Sequence, residues 1–308
     1  MKTFRRFFLL IILTINIIIS SCSDKAPSTD KNTDRLPEII TVNAPLQYFT
    51  EQLASDLAQV TMIAETEGDP ADWQPNIDEA LRIQQAELVI LNGAGYSKWP
   101  NKVAISGTKL INTSQAFSQD YIELDNETTH SHGPTAEHSH GELAFTTWMD
   151  TSQAIKQAQA IARALENNWP EDSQSIRQRE DQLIAELTKL DKAYQQQAKQ
   201  LSGKTIIYSH PVYQYFERRY QLEGTSLHWE PNELPTENEW LKLKSLLGNA
   251  GDGVLIWEDT PSTEIKARMQ SMGLMYIVIK PAAKKEANSW EKEQQDNILR
   301  LTSCCSLQ

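Results

Sequence analysis

The sequence predicts an α/β protein: two small lobes with parallel sheets, joined by a long backbone helix. Two observations predict it. Short apolar runs alternate with amphipathic stretches in both halves of the chain, the pattern of strand–helix–strand units and a parallel sheet. Between the halves, residues 172–201 keep apolar side chains at three- and four-residue spacing, which reads as one helix of about 45 Å.

The chain opens with a targeting segment, residues 1–21. Lys2, Arg5 and Arg6 precede an apolar stretch from Phe7 to Ile19, and Ser20-Ser21-Cys22 follows. A short apolar core ending in small residues predicts a cleaved signal peptide. A cysteine at the cut site resembles a bacterial lipobox, with Cys22 lipidated as the first mature residue; the alternative is an uncleaved anchor. Residues 22–37 hold one large apolar side chain, Leu36, and are expected to be a flexible lipidated tether. The folded part then lies in the cell envelope, facing the periplasm or the cell exterior.

Residues 38–150 are expected to form the first lobe. Strands are predicted at Glu38–Asn43, Gln59–Ala64, Glu87–Leu91 and Lys109–Asn112, with helices near Leu46–Leu57 and Asn76–Gln85. A polar, His-rich loop, residues 128–142, lies late in this lobe. Residues 151–203 are connecting helices: one over Ser152–Asn167, then the long one, which Gly203 is placed to end. The second lobe, residues 204–308, repeats the alternation. Strands are predicted at Lys204–Tyr208, Thr225–Glu230, Gly253–Trp257 and Met275–Ile279. Helices are predicted at Tyr213–Tyr220, Glu237–Leu247, Thr263–Met272 and Ser289–Thr302. Thr236 and Glu239 form a capping-box signature for the second of these.

Composition narrows the function. With 29 Lys+Arg against 41 Asp+Glu the net charge is −12, and loss of residues 1–21 removes three further positive charges. Nucleic acid is a poor partner for such a chain. Only three cysteines occur, and the adjacent Cys304 and Cys305 have no distant mate, so no disulfide framework is expected.

The six histidines carry the chemistry. His130, His132, His138 and His140 crowd the loop; His210 and His228 sit at or near strand ends in the second lobe. Ligands of parallel sheets bind beyond the carboxyl ends of the strands. There His210 and His228 meet Glu258, with Glu230 and Asp259 nearby, a set suited to zinc in a cleft between the lobes. The loop either captures metal loosely or donates one ligand; His140 is the first choice for donation.

Together these features resemble the substrate-binding lipoproteins of bacterial zinc and manganese ABC transporters. The likeness covers nearly the whole mature chain. Its local matches are Gly68–Pro75 (GDPADWQP), Leu91–Trp99 (LNGAGYSKW) and His210–Tyr220 (HPVYQYFERRY). It implies a receptor for Zn²⁺, with Mn²⁺ second, that is lipid-anchored, monomeric, not an enzyme, and served by an ABC permease. It also implies lobes held rather rigidly by the long helix. The chain departs from the family pattern where Ala71 and Thr146 replace the usual first and second histidines and Lys280 falls near a late Asp. Only His210 matches a ligand position directly, so His228, Glu258 and the loop histidines are the expected replacements. A zinc hydrolase built on His210, His228 and Glu258, or a metal-independent adhesin or scaffold, are the alternative readings.

Overall fold

Each sheet is built on two central strands that are apolar on both faces. Strands β1 (Glu38–Thr41), β2 (Gln59–Met62), β3 (Leu88–Leu91) and β4 (Leu110–Asn112) make the first sheet, in the order β2-β1-β3-β4. All its neighbours are parallel. The second sheet of the computed structural model has β7 (Thr205–Tyr208), β8 (Gly224–Ser226), β9 (Gly253–Trp257) and β10 (Tyr276–Val278), again all parallel, in the order β10-β9-β7-β8. Along β9 the period of two is explicit. Val254 and Ile256 enter the main core, while Leu255 and Trp257 enter a second cluster with Trp229, Trp240 and Leu243. The structure describes residues 35–64, 68–124, 130–131, 137–138, 143–231, 233–248, 253–285 and 288–304; Cys22 and the targeting segment lie outside them.

Helices α1 (Ala44–Ala54) and α2 (Ile77–Gln85) cover the first sheet. Asn43 caps α1, its Oδ1 accepting from Leu46 N at 3.1 Å, and Asn76 with Glu79 makes a capping box for α2. Helices α3 (Thr151–Asn168) and α4 (Ser173–Ala198) connect the lobes. At 26 residues α4 is about 39 Å long, and a 3-10 turn, Lys199–Leu201, carries the chain to Gly203 at φ 77°. The second lobe adds α5 (Gln214–Tyr220), α6 (Glu237–Leu247), α7 (Thr263–Ser271) and α8 (Trp290–Cys304). The capping box predicted at Thr236 and Glu239 is present.

The long helix braces both lobes. Towards the first, Tyr48 donates to Glu186 and Arg179 Nε donates to Leu53 O at 2.7 Å. Towards the second, Asp191 accepts from Arg219 Nε at 2.9 Å, and Tyr194 donates to Gln294 Oε1 at 2.8 Å. The segment after β10 crosses back to the first lobe. Trp148 Nε1 donates to Pro281 O at 2.8 Å, Ala44 N donates to Ala283 O at 2.9 Å, and Trp290 packs edge-on to Phe49 at 5.1 Å. The long helix and the segment after β10 thus each contact both lobes.

One predicted boundary shifts with consequence. Strand β8 stops at Ser226, so His228 and Glu230 lie in the loop beyond it rather than in the strand. That loop still follows β7: Leu227 N donates to Tyr208 O at 2.7 Å and Trp229 N to Ser209 O at 2.8 Å. Leu227 and Trp229 are buried in the second cluster, while His228 and Glu230 between and after them are half-buried.

Candidate metal site

The carboxyl ends of the second sheet supply the chemistry. His210 lies two residues past β7, is 8% exposed, and its Nδ1 contacts Glu258 Oε2 at 2.7 Å. Glu258 follows directly after β9, its own N–H bonded to Ser209 Oγ at 3.1 Å. On the other ring nitrogen, Nε2 lies 3.8 Å from Glu230 Oε1. A carboxylate on Nδ1 favours the tautomer with the proton on Nδ1 and the lone pair on Nε2, the arrangement in which a carboxylate orients a metal-binding imidazole. Burial by itself lowers the affinity of His210 for a proton. The Glu258 hydrogen bond and charge, with Glu230 and Asp69 behind them, outweigh it and set the imidazole above its ordinary range.

The Asp69 charge, from the loop before α2 in the first lobe, adds least to that upward push on His210. Sequence reasoning quoted the segment that holds Asp69 but assigned it no role. Beside Glu258, Asp259 Oδ1 pairs with Lys280 Nζ at 2.7 Å. Lys280 therefore brings a cation to this edge.

The predicted site residues come together in part. His210 and Glu258 meet. His228 and Glu230 are both half-buried. Among the described residues no three His, Cys, Asp or Glu side chains are arranged to hold a metal ion. His130 and His138 are Cα partners in a two-stranded antiparallel ribbon, β5 (His130–Ser131) with β6 (Glu137–His138). His132 and His140 lie outside the described residues. Glu123 and Leu143 bridge at the base of the loop, which therefore leaves and rejoins the first lobe at one point. Ala71 and Thr146, the positions expected to stand in for family histidines, have structural roles. Ala71 is buried, and Thr146 Oγ1 donates to Val212 O at 2.7 Å across the lobes.

Comparison with known proteins agrees with this architecture. The chain is 23% identical over 298 residues to the high-affinity zinc uptake system protein ZnuA of Bacillus subtilis, covering 94% of this chain and 91% of that one. It is 26% identical over 207 residues to the zinc-binding lipoprotein AdcA of Streptococcus pneumoniae, covering 66% of this chain and 41% of that protein. The solved Zn(II)-bound ZnuA-like domain of AdcA shares the fold, with a TM-score of 0.73, 19% identity, and coverage of 88% of this chain and 99% of that one. Residues 39–304 match the family described as ZnuA, zinc-uptake complex component A periplasmic, and the chain belongs to that family.

Proposed function

We propose that this chain captures Zn²⁺ outside the cytoplasm and delivers it to an ABC-type membrane permease, with Mn²⁺ a weaker cargo. The observation that carries the reading is His210. It is a buried imidazole with one nitrogen held by Glu258 and the other turned towards Glu230, at the sheet edge where parallel α/β proteins bind ligands. Membership of a zinc-uptake family supports it. His210 is the central ligand in this reading, and Glu258 holds and polarises it. His228 and one loop histidine, His140 ahead of His138, His132 and His130, complete the sphere when metal arrives. Lipidation at Cys22 keeps the receptor at the membrane, as a monomer, within reach of the permease.

Zinc titration of the full chain in detergent, in competition with a chromogenic chelator, tests it. His210→Ala is expected to lose well over tenfold in affinity, since even outer-sphere losses cost about 10–100-fold. Equal affinity in wild type and His210→Ala would overturn the site, and no binding by wild type would favour the scaffold reading. Single His→Ala changes at 130, 132, 138 and 140 separate donation from capture. One damaging change marks a donor; four mild ones leave the loop as a collector of weaker zinc equivalents.

A further inference from the structure

The His-rich loop is rooted on an antiparallel pair that is one hydrogen bond short. Glu123 bridges Leu143, and next to them Ala144 N donates to Ile122 O at 2.8 Å. Residues opposed in this way ordinarily exchange two such bonds. Here the return bond, from Ile122 N to Ala144 O, is not made directly. The Tyr215 hydroxyl stands between them: it accepts from Ile122 N at 3.3 Å and donates to Ala144 O at 3.1 Å. Tyr215 belongs to α5 of the second lobe and is fully buried. A buried tyrosine hydroxyl needs one partner. This one has two, both at the root of the loop, 93 and 71 residues away in sequence.

The same stretch of the second lobe grips both arms of the loop at further points. Three residues on, the Arg218 guanidinium lies over the Tyr215 ring at 5.0 Å, and its Nη1 donates to Asp120 O at 2.7 Å. Just before α5, Val212 O accepts from Thr146 Oγ1 at 2.7 Å, while Val212 N donates to His210 O at 3.0 Å. Residues 212–218 thus hold the incoming arm at Asp120 and Ile122 and the outgoing arm at Ala144 and Thr146. Of these contacts, the Tyr215 hydroxyl is the one that both arms share.

We propose that Tyr215 is a positioning residue for metal capture: its hydroxyl fixes the root of the His-rich loop against the stretch that follows His210, so that a loop imidazole reaches the ion held there. The proposal rests on the reading of His210 as ligand and a loop histidine as donor, and adds the residue that brings the two together. The physical basis is effective concentration. A ligand carried on a loop joins the ion intramolecularly, and its advantage depends on where the ends of the loop are fixed. Without the hydroxyl, Ile122 N and Ala144 O either close on each other or lose their partner. In both cases the tie between the root and α5 is gone.

The test is a double-mutant cycle on the full chain in detergent, titrated with Zn²⁺ against a chromogenic chelator, with metal-free melting curves as the check on folding. Tyr215→Phe is made in the intact chain and in a chain lacking residues 129–140. In the intact chain it is expected to weaken the tight site by about three- to tenfold, and in the deleted chain by less than about twofold. Arg218→Met, at a side chain that is 40% exposed, breaks the tie to Asp120 and leaves Tyr215 in place. It is expected to show the same dependence on the loop with a smaller loss, about twofold in the intact chain. If Tyr215→Phe does not fold, Arg218→Met decides by the same comparison. Equal losses in the two chains would make Tyr215 a purely structural residue and overturn the proposal. If the deletion weakens the tight site and Tyr215→Phe in the intact chain does not, donation by the loop stands and the role of Tyr215 is lost. If the deletion itself leaves the tight site unchanged, donation falls and takes the role of Tyr215 with it.

Discussion

The two lobes are built alike but do different chemistry at the same places. Their sheets share one strand order, and the segments Ile39-Ile40 and Gln47-Tyr48-Phe49 recur at constant offset as Ile206-Ile207 and Gln214-Tyr215-Phe216. Two residues past the first strand stands Asn43 in one lobe and His210 in the other. One residue past the central partner strand stands Asn92 in one and Glu258 in the other. The first-lobe amides are consumed by construction. Asn43 caps α1; Asn92 Oδ1 accepts from Thr147 at 3.2 Å and Gln157 at 3.1 Å, and its Nδ2 donates to Phe145 O at 2.9 Å. The second-lobe pair is ionisable and bonded to itself. One fold thus serves as scaffold in one copy and as site in the other, which is why function has to be argued from side chains rather than from topology.

The sharpest way to break that contrast is to remove the ionisable pair. Glu258→Gln keeps the shape and loses the charge that holds His210. Zinc affinity should fall about 10–100-fold, with little change in metal-free melting. Isothermal titration at fixed pH checks it. An unchanged affinity would make Glu258 an ordinary strand-end carboxylate and erase the chemical difference between the lobes.

A second contrast lies in the core and shows as pH dependence. One residue past the shared Gln-Tyr-Phe, the first lobe has Thr50, buried and donating to Leu46 O at 2.7 Å, and the second has Glu217. Burial, outweighing the Gly224 N–H that points at it, pushes the Glu217 carboxyl up to about 7 from 4.5. A value raised on folding means the native state holds the proton more tightly. The stabilisation is complete below about pH 4.5 and is lost as pH rises through about 7. Glu217→Gln should remove that slope, raising stability above pH 7 by on the order of 2 kcal/mol. Melting curves of both proteins between pH 5 and 8 decide it; parallel curves would show that Glu217 does not couple to folding.

The alternation of short apolar runs made the strands and their parallel pairing legible, because strands buried on both faces need continuous apolar sequence. Caps at Thr236 and the stop at Gly203 were legible for the same local reason. His210 and Glu258 were legible because each directly follows an apolar run, where a parallel sheet delivers side chains to one edge. What escaped depends on contacts distant in sequence. Thr146 reads as one hydroxyl among many until the fold brings it to the Val212 carbonyl, 66 residues away. The end of β8 at Ser226 was hidden because the alternation of Leu227 and Trp229 continues past the last strand residue. The recurrence of Gln-Tyr-Phe was in plain view and would have paired Asn43 with His210.

The smallest effect probes the scaffold copy. Asn43 Oδ1 meets one of the four N–H groups that open α1, and an alanine there leaves that donor without its acceptor. Asn43→Ala should therefore cost about 1 kcal/mol, read as a drop in the urea midpoint with unchanged slope. Zinc affinity should stay within about threefold, because the amide orients no ligand and only neighbours the Tyr96 ring. Asn43→Ser, which keeps an oxygen able to cap, should recover most of the lost stability. If Asn43→Ala instead weakens zinc as severely as His210→Ala, the residue belongs to the site. The two strand ends would then share one task, and the division of labour between the lobes would be wrong.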